Sequence, residues 1–370
     1  MTATRVFVTL AVVFVLVVAL VSLYGWTVVN DLSPDTAEPE RTIVEITPTE
    51  VIAEGLSIPW DLAFLPDGSM LVTERAGDVI HIESGQTFPI EGVEHVGEGG
   101  LLGIALHPDF ADNGFVYLYQ TTRTDSGLKN RIVRYVYAEY ELTFDRVIFD
   151  QIPGAQYHDG GRIAFGPDGM LYATVGDAQN EDAAQDPQRL HGSILRITPD
   201  GEVPEDNPFG NAVYSYGHRN PQGLTWDGAG NLWSTEHGRS GLRSGYDEIN
   251  LIQPGGNYGW PESEGDTVAA GTIAPLWHST ADTTWAPASA LFYEGRIFFG
   301  GLRGEALYEA VLANGEVNEV RTHLEGEYGR IRSVVLGPDG FFYLTTSNRD
   351  GRGSPVRADD RIIRIDPQQF

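Results

Sequence analysis

One phrase recurs through this chain and constrains its fold more than any other feature. An apolar strand runs into a tight turn built on Pro-Asp-Gly or a near equivalent, and a second apolar or aromatic strand follows. It reads LAFLPDGSMLVTE at 62–74, IALHPDFADNGFVYLYQ at 104–120 and IAFGPDGMLYATVGD at 163–177. It returns as LTWDGAGNLWSTEHG at 224–238, ALFYEGRIFFGGL at 290–302 and VVLGPDGFFYLTTSN at 334–348. Gly or Asn after Asp tolerates the positive φ of a tight connection, so each copy is a hairpin. A third strand follows most copies, as VIHIE (79–83), IVRYVY (132–137), ILRIT (194–198), EINLI (248–252) and IIRID (362–366). A unit of three or four strands at a spacing of roughly 40–65 residues, with no helical partner, predicts propeller blades rather than a solenoid. Two stacked β-sandwiches would also supply many short strands, but not six copies of one hairpin. Residues 43–53 (IVEITPTEVIA) add an unpaired strand that can complete the last blade and leave no open edge.

The expected class is therefore all-β, a six-bladed β-propeller over 43–370, preceded by one N-terminal transmembrane helix. Residues 6–29 carry no charge, and at ~1.5 Å per residue they are long enough to cross a hydrocarbon layer of ~30 Å. No A-x-A cleavage site follows, so an uncleaved anchor within 1–29 is expected rather than a signal peptide. Arg5 lies before the span and Asp31, Asp35, Glu38 and Glu40 after it, which predicts a cytoplasmic N-terminus and an extracellular main domain. Residues 30–42 (NDLSPDTAEPERT) read as a linker.

The formal net charge is −28, and Lys129 is the only lysine. Such a field repels phosphates, so no nucleic-acid partner is expected. Acidity spread along the whole chain with lysine nearly absent suggests adaptation to high salt, where self-repulsion is screened. The absence of cysteine excludes disulfides, thiolate chemistry and cysteine-ligated zinc.

Three loops carry candidate chemistry, expected where loops that follow the innermost strands reach the channel mouth. In QYHDGGRIAFGPDG (156–169), His158 precedes two glycines that would let the chain approach a ligand closely. In YSYGHRNPQGLTWD (214–227), His218, Arg219, Asn220 and Gln222 crowd the start of a strand, an unlikely place for four core residues. In EHGRSGLRSGYDEINLIQPGGNYGWP (236–261), glycines free carbonyls for a hard cation such as Ca²⁺, and Asp247 and Glu248 offer carboxylates.

HRNPQG, EHG followed by DEINLI, GGNYGWP, GEGGLLGIALHPDF (97–110) and GRIRSVVLGPDG (329–340) resemble the soluble quinoprotein glucose and aldose sugar dehydrogenases, the glucose/sorbosone dehydrogenase family. The motifs fall in the family's order along residues 53–366. The resemblance implies a six-bladed propeller that binds pyrroloquinoline quinone (PQQ) and Ca²⁺ and oxidises aldoses at the anomeric hydroxyl to lactones. It implies that His158 is the general base, that Arg219 stabilises charge developing on the quinone oxygen, and that Asn220 contacts the cofactor. Arg303, Arg330 and Arg332 fall where basic residues hold the cofactor carboxylates, and the carbonyls of Gly238 and Arg239 match the calcium-ligating pair. Glu98 stands where the glucose enzymes carry a glutamine beside the cofactor, Tyr157 replaces an acidic sugar contact, and Arg239 replaces a proline. The sugar and the electron acceptor are not specified by these residues. A non-catalytic sugar- or protein-binding propeller and a Ca²⁺-dependent lactonase-like hydrolase are the competing readings of the same face. In the simplest alternative the arginines pair with nearby acids such as Glu325 or Glu327.

Overall fold

The computed structural model describes residues 49–239 and 245–370. The expected anchor and linker lie outside the described residues, among which no helix is long and apolar enough to cross a membrane.

Among the described residues the chain forms six four-stranded antiparallel sheets. Each repeated phrase supplies the two inner strands of one blade, as in Pro59–Phe64 with Met70–Glu74 and Ile331–Leu336 with Phe342–Thr346. The predicted third strands follow them, for example Ser193–Ile197 and Glu248–Ile252. The sixth blade takes its outer strand from the start of the described chain: Thr49–Ala53 pairs antiparallel with Ile362–Ile365, with Val51 opposite Ile363. The predicted closing strand is thus present in its described part, and it ties the two ends of the propeller together across the whole sequence.

In four blades the second strand is buried throughout, and in the other two along most of its length, because it is covered on both faces by neighbouring blades and its side chains cannot alternate into water. Met70–Glu74, Leu171–Val175, Leu232–Glu236 and Phe342–Thr346 each read as fully buried. Apolar clusters fill the wedges between blades: Tyr117, Tyr119 and Ile132 of the second blade meet Ile163, Leu171 and Val175 of the third. At roughly 1.5–3 kcal/mol for each large side chain removed from water, these wedges supply the main cohesion of the ring.

The direction of the inner strands fixes what lies at each end of the central channel. Every Pro-Asp-Gly-type turn sits where an inner strand ends, at one face. The opposite face, where inner strands begin and second strands end, gathers the polar loops. The expectation that the functional loops follow the innermost strands is therefore corrected: they precede those strands, and the loops that follow are short turns on the far side. Between the two ends the channel is plugged. Arg162 forms an ion pair with Asp61, and it donates to the carbonyls of Gln222 (3.0 Å) and Ala288 (2.7 Å). Asp61 also accepts from Ser333 Oγ at 2.9 Å, so this buried pair is satisfied on both sides.

Candidate active site

The loop before the third blade's inner strand delivers His158 to the mouth. Its backbone has φ of +64°, a strained value for a non-glycine residue that surrounding contacts must enforce. Glu98 supplies one such contact, accepting from the His158 N–H at 3.0 Å. The approach of the next strand is equally close, since a Cβ on Gly176 would lie 2.0 Å from the His158 carbonyl.

The His158 ring is held at both nitrogens. Nδ1 lies 2.8 Å from Asp177 Oδ1, and Nε2 lies 2.9 Å from Nη2 of Arg219. A guanidinium can only donate, so Nε2 carries the lone pair and the proton sits on Nδ1, donated to Asp177. Asp177 is itself fixed, accepting from the Gln179 N–H at 2.8 Å and from Trp260 Nε1 at 2.9 Å. The arrangement is a neutral imidazole of defined tautomer, its basic nitrogen facing the cavity, backed by a buried carboxylate. Such a unit can take a proton and stabilise the resulting charge.

Arg219 and Asn220 start the fourth blade. The Arg219 guanidinium lies 5.3 Å from the Trp260 ring, and its backbone N–H donates to Glu236. Glu236 also binds His218 Nδ1 at 2.8 Å, and His218 Nε2 contacts Ser215 Oγ at 2.9 Å. This Ser-His-Glu chain is fully buried and serves as scaffolding for Arg219. His218, singled out in the sequence, belongs to it and not to the mouth. Asn220 Oδ1 accepts from the Gly160 N–H at 3.0 Å, while its buried Nδ2 has no partner among the described residues. Asn220 is fully buried and lines neither of the two chambers at the mouth.

Two chambers occupy the mouth. The larger, of about 490 Å³, is lined by His158, Arg219, Gly238, Arg303 and Arg330 among others. The smaller, of about 190 Å³, is lined by Trp60, Arg75, Arg332 and Asp350 among others. Glu98, Tyr157, His237, Leu302 and Arg352 border both.

The arginines do not pair with Glu325 or Glu327. Arg330 makes a two-pronged contact with Asp350 Oδ2 (2.7 and 3.1 Å), Arg332 reaches the same oxygen only at 3.9 Å, and Arg303 is exposed with no ion pair among the described residues. Burial and the neighbouring Arg75 lower the Arg332 pKa to about 9. Burial likewise pushes His237 down to about 3, which keeps it neutral. For Glu98, burial alone would raise the pKa, but Arg352 and the His158 N–H prevail and hold it at about 2. Glu98 therefore brings a charge into the mouth, as expected, yet Arg352 neutralises it at 2.8 Å.

The calcium loop is less complete. Gly238 and Arg239 lie on the cavity wall, but the Arg239 carbonyl accepts from the Gly245 N–H at 3.2 Å and its side chain pairs with Glu264. Asp247, offered in the sequence reading as a carboxylate ligand, accepts from the N–H groups of Gly238, Trp285 and Ala286, so its oxygens are occupied by backbone. Glu248 accepts from Asn250 at 3.1 Å. Among the described residues no three His, Cys, Asp or Glu side chains converge on a metal position.

Sequence reasoning missed Asp177, Trp260, Arg75, His237 and Arg352. Arg75, Asp177 and His237 share one signal: each comes one or two positions after the second strand of a repeated phrase, in TER, VGD and TEHG. In these three blades that position falls at or beside the site.

Residues 56–362 match the sequence profile of the Glucose / Sorbosone dehydrogenase family. The chain belongs to that family. Among relatives of this glucose/sorbosone dehydrogenase family member, Aldose sugar dehydrogenase YliI of Escherichia coli is 34% identical, the match covering 82% of this chain and 90% of the relative. Quinoprotein glucose dehydrogenase B of Acinetobacter calcoaceticus is 35% identical over 58% of this chain and 52% of its own length. The PQQ-bound aldose sugar dehydrogenase of Streptomyces coelicolor superposes with a TM-score of 0.78 at 43% identity, covering 85% of this chain and 97% of that one.

Proposed function

We propose that this family member is a PQQ-dependent aldose dehydrogenase that oxidises the anomeric hydroxyl to a lactone, with His158 as general base. The observation that carries the reading is the His158 imidazole, held by Asp177 at Nδ1 and presenting a basic Nε2 to an arginine-lined chamber.

The residues present fit an anionic quinone. Arg303 and Arg330 in the larger chamber and Arg332 in the smaller would face its carboxylates, and the resemblance to the family makes Asn220, next to Arg219 in the chain, a further cofactor contact. When bound, PQQ would supply an electrophilic carbonyl that accepts a hydride. His158 Nε2 takes the hydroxyl proton as the anomeric hydrogen leaves with its electron pair, and the sugar C–O bond becomes the lactone carbonyl. Asp177 then faces an imidazolium and stabilises it. Arg219 Nη2 donates to His158 Nε2 at 2.9 Å. An anionic ligand, a stronger acceptor than imidazole, would compete for this guanidinium and leave the His158 lone pair for the proton. A positioned guanidinium of this kind contributes about 3 kcal/mol to transition-state charge stabilisation. The carbonyls of Gly238 and Arg239 are too few for calcium's usual ~6–8 oxygens, so a cation there would draw further ligands from the cofactor.

The relatives' names support the chemistry, and the cavity's charged lining of mainly arginine and histidine favours it over a carboxylate-rich lactonase site. The uncharged span at 6–29 supports a membrane-anchored, extracellular placement, and the spread acidity supports a high-salt habitat. The decisive experiment titrates the cofactor-free full-length chain with PQQ in the presence of Ca²⁺, then follows dye reduction over a panel of aldoses. Saturable binding with aldose-dependent reduction is expected. No saturable binding would leave a non-catalytic binding propeller as the reading.

A further inference from the structure

A buried carboxyl lies next to the proposed base and takes no part in the proton transfer. Asp159 follows His158 directly, is 1% exposed and has no ion pair among the described residues. Its Oδ1 accepts from Asn130 Nδ2 at 3.0 Å and from the Ala155 N–H at 3.1 Å, and its backbone carbonyl accepts from the Tyr119 hydroxyl at 3.0 Å. Oδ2 is buried without a partner among those residues. With no cation beside it to favour the ionised form, burial pushes the Asp159 carboxyl up to about 7. A carboxyl kept in such a place is useful as an acceptor, since its charge is neither paired nor solvated.

Asn130 is fully buried and passes the contact on. Its Nδ2 also donates to the Pro153 carbonyl at 2.7 Å, and its Oδ1 accepts from Thr121 Oγ1 at 2.8 Å. Thr121 Oγ1 in turn accepts from the Gly100 N–H at 3.0 Å. Asn130 and Thr121 stand opposite each other on the third and second strands of the second blade. This connected polar network therefore grips two loops at once, the one that carries Glu98 and the one that carries His158. The same loops are joined directly, by the Glu98 N–H donating to the Gln156 carbonyl at 2.9 Å and by Glu98 accepting from the His158 N–H.

His158 needs such enforcement, because its φ of +64° persists only where surrounding contacts impose it. Behind it the chain is held by the third and fourth blades, the His158 carbonyl accepting from the Ala178 N–H at 3.2 Å and Asn220 from the Gly160 N–H. Asp159 supplies the buried tie on the side of the second blade.

We infer that Asp159 is a positioning residue for His158, holding the loop of the base against the second blade through Asn130. It works by accepting hydrogen bonds, and its charge is dispensable. Asn in its place offers the same acceptor to Asn130 and Ala155, with NH₂ where the unpartnered Oδ2 stands. The inference rests on the proposed role of His158 for its kinetic consequence and on geometry alone for the rest.

Two measurements test it. In the full-length chain without cofactor, with isotope-labelled histidines, nuclear magnetic resonance follows the His158 ring, whose signals are those missing from His158→Gln. The native ring should appear as the neutral tautomer protonated at Nδ1. Asp159→Ala should displace these signals while the other histidines keep theirs, and Asp159→Asn should retain the native pattern. Asn130→Ala cuts the same tie from the second blade, so it should reproduce the displacement even if Asp159→Ala fails to fold. The double variant should be displaced no further than either single one. The second measurement is dye reduction with PQQ and Ca²⁺. Asp159→Ala should lose at least ~tenfold in kcat, as a misplaced base does, with aldose KM and PQQ affinity within ~threefold of native, and Asp159→Asn should recover most of the turnover. Native His158 signals in both Asp159→Ala and Asn130→Ala overturn the inference. Equal losses in Asp159→Asn and Asp159→Ala overturn it too, because the charge and not the acceptor would then be needed. Displaced His158 signals in a chain whose native form reduces no dye keep the positioning role and remove the dehydrogenase reading.

Discussion

Replacing Asp177 by Asn tests the proposed base through the group that holds it. Asp177 Oδ1 accepts from His158 Nδ1 and from the Gln179 N–H, both at 2.8 Å, and Oδ2 accepts from Trp260 Nε1 at 2.9 Å. All three partners are donors, and an amide offers only one accepting end. If the Asn oxygen faces His158, its NH₂ opposes the indole N–H. If it turns, the NH₂ opposes the Gln179 N–H and forces the imidazole proton onto Nε2, where the Arg219 donor stands. Either choice leaves a buried donor unsatisfied, at about 1–3 kcal/mol in stability. Catalysis suffers separately, because the imidazolium formed on proton transfer loses its carboxylate. A charge-assisted hydrogen bond of about 3 kcal/mol corresponds to a loss of roughly a hundredfold in kcat, rising towards ~10⁴ if the wrong tautomer is locked in. PQQ affinity should change little. Steady-state dye reduction under saturating aldose reads the first effect, and thermal unfolding the second. The double variant Asp177→Asn with Trp260→Phe removes the opposing indole donor and should recover stability without recovering turnover. An Asn variant with native kcat would refute the reasoning outright.

Three further outcomes are expected. His158→Gln should lower kcat by ~10²-fold or more with PQQ binding within a few-fold of native, read by dye reduction and titration; unchanged turnover would remove the residue from the mechanism. Changing Arg330 and Arg332 together to Ala should weaken PQQ binding by ~2–5 kcal/mol with the fold intact, measured by calorimetry, and native affinity would show that the arginines serve only Asp350. Glu98, held at about 2 against its ordinary 4.5, stabilises the native state at neutral pH and loses that contribution as pH falls between those values. With a half-exposed partner in Arg352, the effect is about 2 kcal/mol at most, so acid unfolding of Glu98→Gln should be less steep over that range than that of the native protein.

The inner half of every blade was legible because the same physics repeats in each: a tight turn flanked by strands that are buried and mainly apolar. The fourth strands were not. Glu141–Pro153 and Glu316–His323 are exposed along most of their length and carry no apolar alternation, so nothing separates them from loop. At the site, His158, Arg219 and the sixth-blade arginines could be named from motifs, and the structure gathers them around one mouth. The partners that give them function lie far along the chain, Asp177 past the second strand of His158's own blade and Trp260 and Arg352 in other blades. Asp177 lies 19 residues from His158, Trp260 lies 83 from Asp177, and Arg352 lies 254 from Glu98. Hairpin pairing within the third blade and the packing of blades around the ring bring these groups together, and a linear reading has no term for either. Asp247 shows the reverse error, a carboxylate that looked available for a cation but caps three backbone donors.

The strand that completes the sixth blade has a consequence for handling the protein. Thr49–Ala53 runs antiparallel to Ile362–Ile365, so the chain enters the ring at the face of the Pro-Asp-Gly turns. Phe370 lies at that same end, its carbonyl 3.4 Å from an Arg296 nitrogen and its ring packed near Phe298. Both ends of the described chain therefore leave from the side opposite the mouth. A resin or an electrode attached at either end of the described chain would sit on the side away from the mouth. Immobilisation by a terminal tag should then preserve access to His158, whereas coupling through carboxylates on the loops of the mouth should block it.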